Sequence, residues 1–128
     1  MEFPEEINNS LYRKFAGEAV SFFSMRDLVF EKGEQGIYVI IPNMGLEAAM
    51  AKSEEFRNRI SMNLSDSAEE INKLRIGLSS RSGRLIGAKR LILEASTALD
   101  KVIEDPVSSV IAFKSDPVKY REFIKRKT

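Results

Sequence analysis

The chain contains no cysteine, no histidine and no tryptophan. Without cysteine there is no disulfide, no thiolate nucleophile and no cysteine-type metal site. Without histidine there is no Ser-His-Asp arrangement, no imidazole base and no imidazole metal ligand. Catalysis would have to run on carboxylates, lysine or tyrosine. Charge of one sign is lacking too: 20 basic against 19 acidic residues leave a net charge of +1. Such a balance gives no overall field to gather nucleic acid or acidic substrates. No apolar run reaches the roughly 18 residues that span a bilayer, so membrane insertion is not expected. The first residues include Glu2, Glu5 and Glu6, unlike the basic start of a signal peptide, and the expected location is cytoplasmic. With 128 residues, 43% hydrophobic and 30% charged, the chain reads as one globular domain, 1–128, with room for a core.

The most informative stretch runs from residue 26 to 42. Leu28 to Phe30 and Ile37 to Ile41 are apolar, β-prone runs around a short polar turn with two glycines. That spacing predicts a β-hairpin. Ile37 to Ile41 does not alternate, which predicts a central strand buried on both faces, and Pro42 ends it. Before it, Ile7, Leu11, Phe15, Ala19 and Phe22 recur as one stripe of a helix from Pro4 to Phe23. After it, Asn43 is expected to cap a second helix with Leu46, Ala49, Met50, Phe56 and Ile60 inward. Ser61 to Asn72 reads as a polar loop, with a capping box of Ser67 and Glu70 as the alternative. Leu74, Ile76 and Leu78 alternate as a strand, and Ser79 to Gly87 is a turn-rich loop. A third helix follows from Ala88 to Glu104, with Leu91, Ile92, Ala95, Ala98, Leu99, Val102 and Ile103 inward. Val107 to Phe113 is expected as a last strand, and Asp116 with Pro117 as the start of a final helix. The order α-β-β-α-β-α-β-α implies an α/β (α+β) fold, with helices layered on a sheet.

The hairpin carries a resemblance. Asp27-Leu28-Val29, then Gly33-Glu34-Gln35-Gly36-Ile37, then a β-run ending in Pro42 resembles the signature hairpin of the GGDEF family, the diguanylate cyclases. The family's turn reads Gly-Gly-Asp/Glu-Glu-Phe, of which only the first glycine and the apolar last position stand here. Leu74-Arg75-Ile76-Gly77-Leu78 is similar to the family's Ser-Ile-Gly strand, and Ala95-Ser96-Thr97-Ala98-Leu99 to its Ala-Asp-x-Ala-Leu helix. The likeness spans roughly residues 5 to 114. It implies a ferredoxin-like, nucleotidyl cyclase palm-type sheet whose first, central strand would lie beside Ile37 to Ile41 and is not represented. Its absence leaves three outcomes: the neighbouring strands close up, another copy supplies a strand, or the chain is part of a longer protein. A homo-oligomer or a fragment is the expectation.

The resemblance also implies a chemistry and its loss. A diguanylate cyclase needs carboxylates for two Mg²⁺ ions, because magnesium demands oxygen ligands in near-octahedral order. The first metal aspartate would lie on the unrepresented strand. The second would lie in the turn, where Gln35 and Gly36 stand, with Glu34 one position early. Ile103 stands where a phosphate-binding lysine is expected. No metal or cofactor is therefore expected. The family's inhibitory site has Arg-x-x-Asp before the hairpin; Asp27 matches, Ser24 stands at the arginine position, and Arg26 is displaced. Gly33 and Gly36 are expected to serve the turn through positive φ, with a phosphate cradle as the alternative. Arg81 and Arg84 around Gly83 are a candidate anion loop, with a solvated loop as the bland alternative. Phe15, Phe22 and Phe23 are read as core. The expected role is a non-catalytic signalling module that binds a protein partner or itself, as a homodimer, and no nucleic acid. The alternative is a sensor that keeps GTP or cyclic di-GMP affinity through Asp27, Arg26 and Glu34.

Overall fold

The structure is a computed structural model that describes residues 1–24, 27–81, 83–104 and 109–113. It is mixed α/β. The elements in chain order are α1 (Asn9–Phe22), β1 (Leu28–Lys32), β2 (Gly36–Ile40), α2 (Leu46–Asn63), α3 (Ala68–Ile71), β3 (Ile76–Leu78), α4 (Ala88–Glu104) and β4 (Val110–Ala112). The order matches the expected one through β4, with a 3₁₀ turn at Ser65–Ser67 and the short α3 added before β3. The expected final helix from Asp116 lies outside the described residues, as does the start of the last strand at Val107.

α1 starts later than Pro4. The Asn8 Oδ1 atom accepts from the Leu11 amide at 2.7 Å and fixes the first turn. Residues before it take another role: Phe3 is buried edge-on to Phe15, ring centroids 5.0 Å apart. Leu11, Phe15 and Ala19 form the buried stripe the spacing predicted. Phe15 and Phe23 are buried and Phe22 packs against them, so the aromatic cluster is core. α2 is not capped by Asn43, which sits at φ 55 in the turn; the chain enters the helix through Gly45 instead. Its buried face is Ser53, Phe56 and Ile60, while Met50 is exposed. Ser53 tolerates burial because its hydroxyl donates to the Ala49 carbonyl at 2.8 Å. The expected loop from Ser61 is largely helical, because Ile71 is drawn into the core. Ser67 stands at the N-cap of α3 but makes no side-chain capping bond, so the capping box does not form.

β1 and β2 form the expected hairpin, pairing from Leu28↔Ile40 to Lys32↔Gly36. β3 and β4 form a second, parallel pair. The described residues thus hold two two-stranded sheets, not one continuous sheet. β2 is not the central strand the apolar run predicted. Only Gly36 and Ile37 are buried in it, and Tyr38, Val39 and Ile40 are half-buried. Ile37 and Val39 face the core, and an unbroken apolar run says nothing about what stands on the other face.

The two sheets meet through Met1–Phe3. The Ile37 amide donates to the Met1 carbonyl at 2.9 Å and the Phe3 amide to the Gln35 carbonyl at 3.0 Å. On the other side, Glu2 and Arg75 exchange two backbone bonds of 2.9 Å. This segment runs antiparallel to both edges. Gly36 has no positive φ, contrary to expectation; a Cβ there would lie 2.7 Å from the Met1 carbonyl oxygen. Gly33 does have the expected positive φ, +60°. Gly33→Ala should cost about 1 kcal/mol of stability. Gly36→Ala should cost more and should free Met1–Phe3, read as lower urea stability together with loss of amide protection at Glu2, Phe3 and Arg75.

Candidate functional site

Beyond Met1 the edges of β2 and β3 continue, and a cavity of about 600 Å³ lies between them. Its walls come from elements on both sides of these strands. Val39, Ile41, Met44 and Ala49 line it with the hairpin and the start of α2, while Leu91, Ile92, Ala95 and Leu99 line it from α4. Gly77 lets α4 come this close, since a Cβ there would run into the backbone of Ala95 and Leu99. Among the described residues the charged side chains lining the cavity are Lys32 and Arg81, both cationic. Lys32 is engaged by Glu2 at 3.0 Å, and Arg81 is exposed at the rim.

Strand alternation decides which backbone groups point inward. In an antiparallel ladder successive residues turn their N–H and C=O to opposite sides. Ile37 bonds to Met1, so Val39 and Ile41 turn to the same side, toward the cavity. Arg75 bonds to Glu2, whereas the Ile76 amide donates to Ser109 and the Leu78 carbonyl accepts from Phe113. Gly77 and Ser79 therefore turn toward the cavity as well. Its two long walls are thus rows of main-chain donors and acceptors, and most of the other lining side chains are apolar. Exposed backbone rows of this kind are templates for strand addition.

The amine of Met1 stands at the inner end, donating to the Ile37 carbonyl at 3.0 Å. Burial, reinforced by Lys32 and opposed by Glu2, lowers its pKa from the usual 8.0 to about 5. Between those values the unfolded chain binds a proton that the folded chain does not. Stability therefore rises with pH from about 5 to 8 and is lost as pH falls through that window.

The sequence-predicted site residues do not converge. Asp27 and the turn Gly33–Gly36 lie at opposite ends of β1, about 17 Å apart at the usual rise per residue. Asp27 is spent locally: its Oδ2 accepts from the Ser24 amide at 2.9 Å. Glu34 is exposed at the tip. Gln35 clamps the N-terminal segment; with its nitrogen turned inward it donates to the carbonyls of Phe3 (3.0 Å) and Glu5 (3.2 Å). Arg26 lies outside the described residues. Among the described residues no group of three acidic side chains is placed to hold a metal ion.

Arg84 corrects the candidate anion loop. It is not offered to a ligand but forks onto Glu94 at 2.6 and 2.7 Å and donates to the Ser80 carbonyl. Glu94, 2% exposed on α4, is also reached by Arg90 at 3.5 Å. The pair pins the loop after β3 to the helix. Glu94 looks like a solvent residue in the sequence; the one legible signal is Arg90 four residues earlier on the same helix, and the Arg84 partner ten residues away is not legible.

No family model, curated protein or solved structure matches the chain. None of the described helices is long and apolar enough to cross a membrane.

Two measurements follow from this geometry. Arg84→Ala leaves the buried carboxylate with only the exposed Arg90 beside it and should cost about 3 kcal/mol in chemical denaturation, whereas Arg84→Met with Glu94→Leu should cost far less. Acetylating the Met1 amine should flatten the rise of stability between pH 5 and 8, followed by urea midpoints at each pH.

Proposed function

We propose that this domain is a non-catalytic protein-interaction module, a degenerate relative of the GGDEF domain, that holds a partner segment in the cavity between β2 and β3. One observation carries the reading: apolar walls and two rows of main-chain donors and acceptors face each other across a space of about 600 Å³. That is the chemistry of polypeptide recognition, in which backbone bonds give affinity and side-chain pockets give selectivity. The resemblance supports the non-catalytic part. The positions where a cyclase would present its turn carboxylate are occupied otherwise: Gln35 bonds the backbone of Phe3 and Glu5, and Gly36 is walled in by Met1. The order of helices and strands supports a palm-like ancestry. A signalling role, with the module relaying contact between chains, is the setting in which such a scaffold would persist without its chemistry.

The reading separates from a nucleotide sensor in one comparison. A displayed library of eight-residue peptides is selected on the folded chain, and GTP with Mg²⁺ and cyclic di-GMP are titrated by calorimetry. The expected outcome is peptide enrichment, binding abolished by Ala95→Trp in the cavity wall, and no heat from either nucleotide. Where that variant fails to fold, Ala88→Trp at the exposed rim fills the same mouth. Saturable heat at micromolar nucleotide, or no enriched peptide, would overturn the reading.

A further inference from the structure

We infer that the occupant is an extended segment of a partner protein that enters as a β-strand between β2 and β3, antiparallel to both, with an acidic residue at its N-terminal end. This rests on the protein-binding reading above and specifies its mode. The register is already set by Met1–Phe3. Met1 pairs with Ile37 and Glu2 with Arg75, so a strand continuing that line opposes Tyr38, Val39, Ile40 and Ile41 on one side. On the other side it opposes Gly77, Leu78, Ser79 and Ser80. Its amides alternate between the two edges, as those of Glu2 (to Arg75) and Phe3 (to Gln35) do.

Side-chain preferences follow from the walls. Residues sharing the side of Phe3 meet Val39, Ile41 and Ala49, which suits valine or isoleucine. Residues sharing the side of Glu2 meet α4 at Ala95 and Leu99, where the helix closes on Gly77, which suits alanine. At the far end the strand reaches Arg81, and among the described residues the charged side chains lining the cavity are cationic. An acidic first residue therefore finds a matching charge, and a basic one is repelled. Bound in this way, the strand joins the two sheets into one and brings the facing backbone groups of both edges into ladder pairing.

The test uses a blocked pentapeptide, acetyl-Asp-Val-Ala-Val-Ala-amide, titrated onto the whole chain by calorimetry and amide NMR. It is compared with single N-methyl versions at each of its last four residues. A strand held on one edge keeps its outward amides in water and tolerates N-methylation at alternate positions. A strand held on both edges tolerates none, and each N-methyl group should weaken binding about tenfold or more. Arg81→Glu should reverse the preference between Asp-led and Lys-led peptides. Tolerance at alternate positions would overturn insertion while leaving a peptide-binding module in place. Indifference to the first residue's charge in both the parent and Arg81→Glu would overturn the acidic specificity. A chain that is dimeric by sedimentation, with the Val39 and Gly77 amides protected without peptide, would assign the cavity to a second copy and overturn the inference.

Discussion

A three-residue strand holds the two halves of this molecule together. Met1–Phe3 gives backbone bonds to the hairpin on one side and to Arg75 on the other, and Phe3 drops its ring onto Phe15 at the centre of the core. The bonds are individually modest, each worth about 1 kcal/mol net. Their value lies in register. A one-residue slip would turn Phe3 out of the core and Glu2 in, so the hydrophobic side chain fixes the pairing and the pairing fixes the spacing of two otherwise separate sheets. Gly36 and Gln35 serve this junction, one by leaving room for the Met1 carbonyl and the other by bonding the Phe3 and Glu5 carbonyls. The turn thus acts as a clamp on the N-terminal strand.

Past Met1 no polypeptide from the described residues stands between the edges, and a cavity lies there. Packing alone does not close it. α4 is held at its distance by contact with Gly77, and its N-terminal half is tied to the preceding loop by the Arg84–Glu94 fork. On the other face, Phe15, Phe22, Phe23 and Phe56 form a contiguous set of tilted and edge-on rings that hold α1 against α2. Each wall thus has its own anchor. A rigid frame around a backbone-lined space lowers the ordering cost of binding an extended segment, because little of the site must be arranged on arrival.

Much of this frame was legible in the sequence, and the reasons for the exceptions are physical. The hairpin, the stripe of α1, the alternation of β3 and the full extent of α4 come from local periodicity, which the chain states plainly. Gly33 declared its positive φ through its place in a turn. What stayed hidden depends on residues distant in sequence. Nothing about Met1-Glu2-Phe3 marks them as a strand until the edges of β2 and β3 are in place to receive them. Glu94 has the look of a surface residue until Arg84 arrives from the loop. Ile37 to Ile41 reads as two-sided burial because apolar composition does not distinguish a face covered by helices from a face lining a cavity. In the sequence the candidate site residues fall at and before the hairpin turn and in the loop after β3, whereas the cavity lies along the edges of β2 and β3.

Backbone amide exchange in the unliganded monomer tests the central claim most directly. The account predicts protected amides at Ile37 and Arg75, which are paired through Met1–Phe3, beside fast-exchanging amides at Val39 and Gly77, one step further along the same edges. Uniform slow exchange at all four positions in the monomer would mean that the two sheets already meet there, and would contradict it.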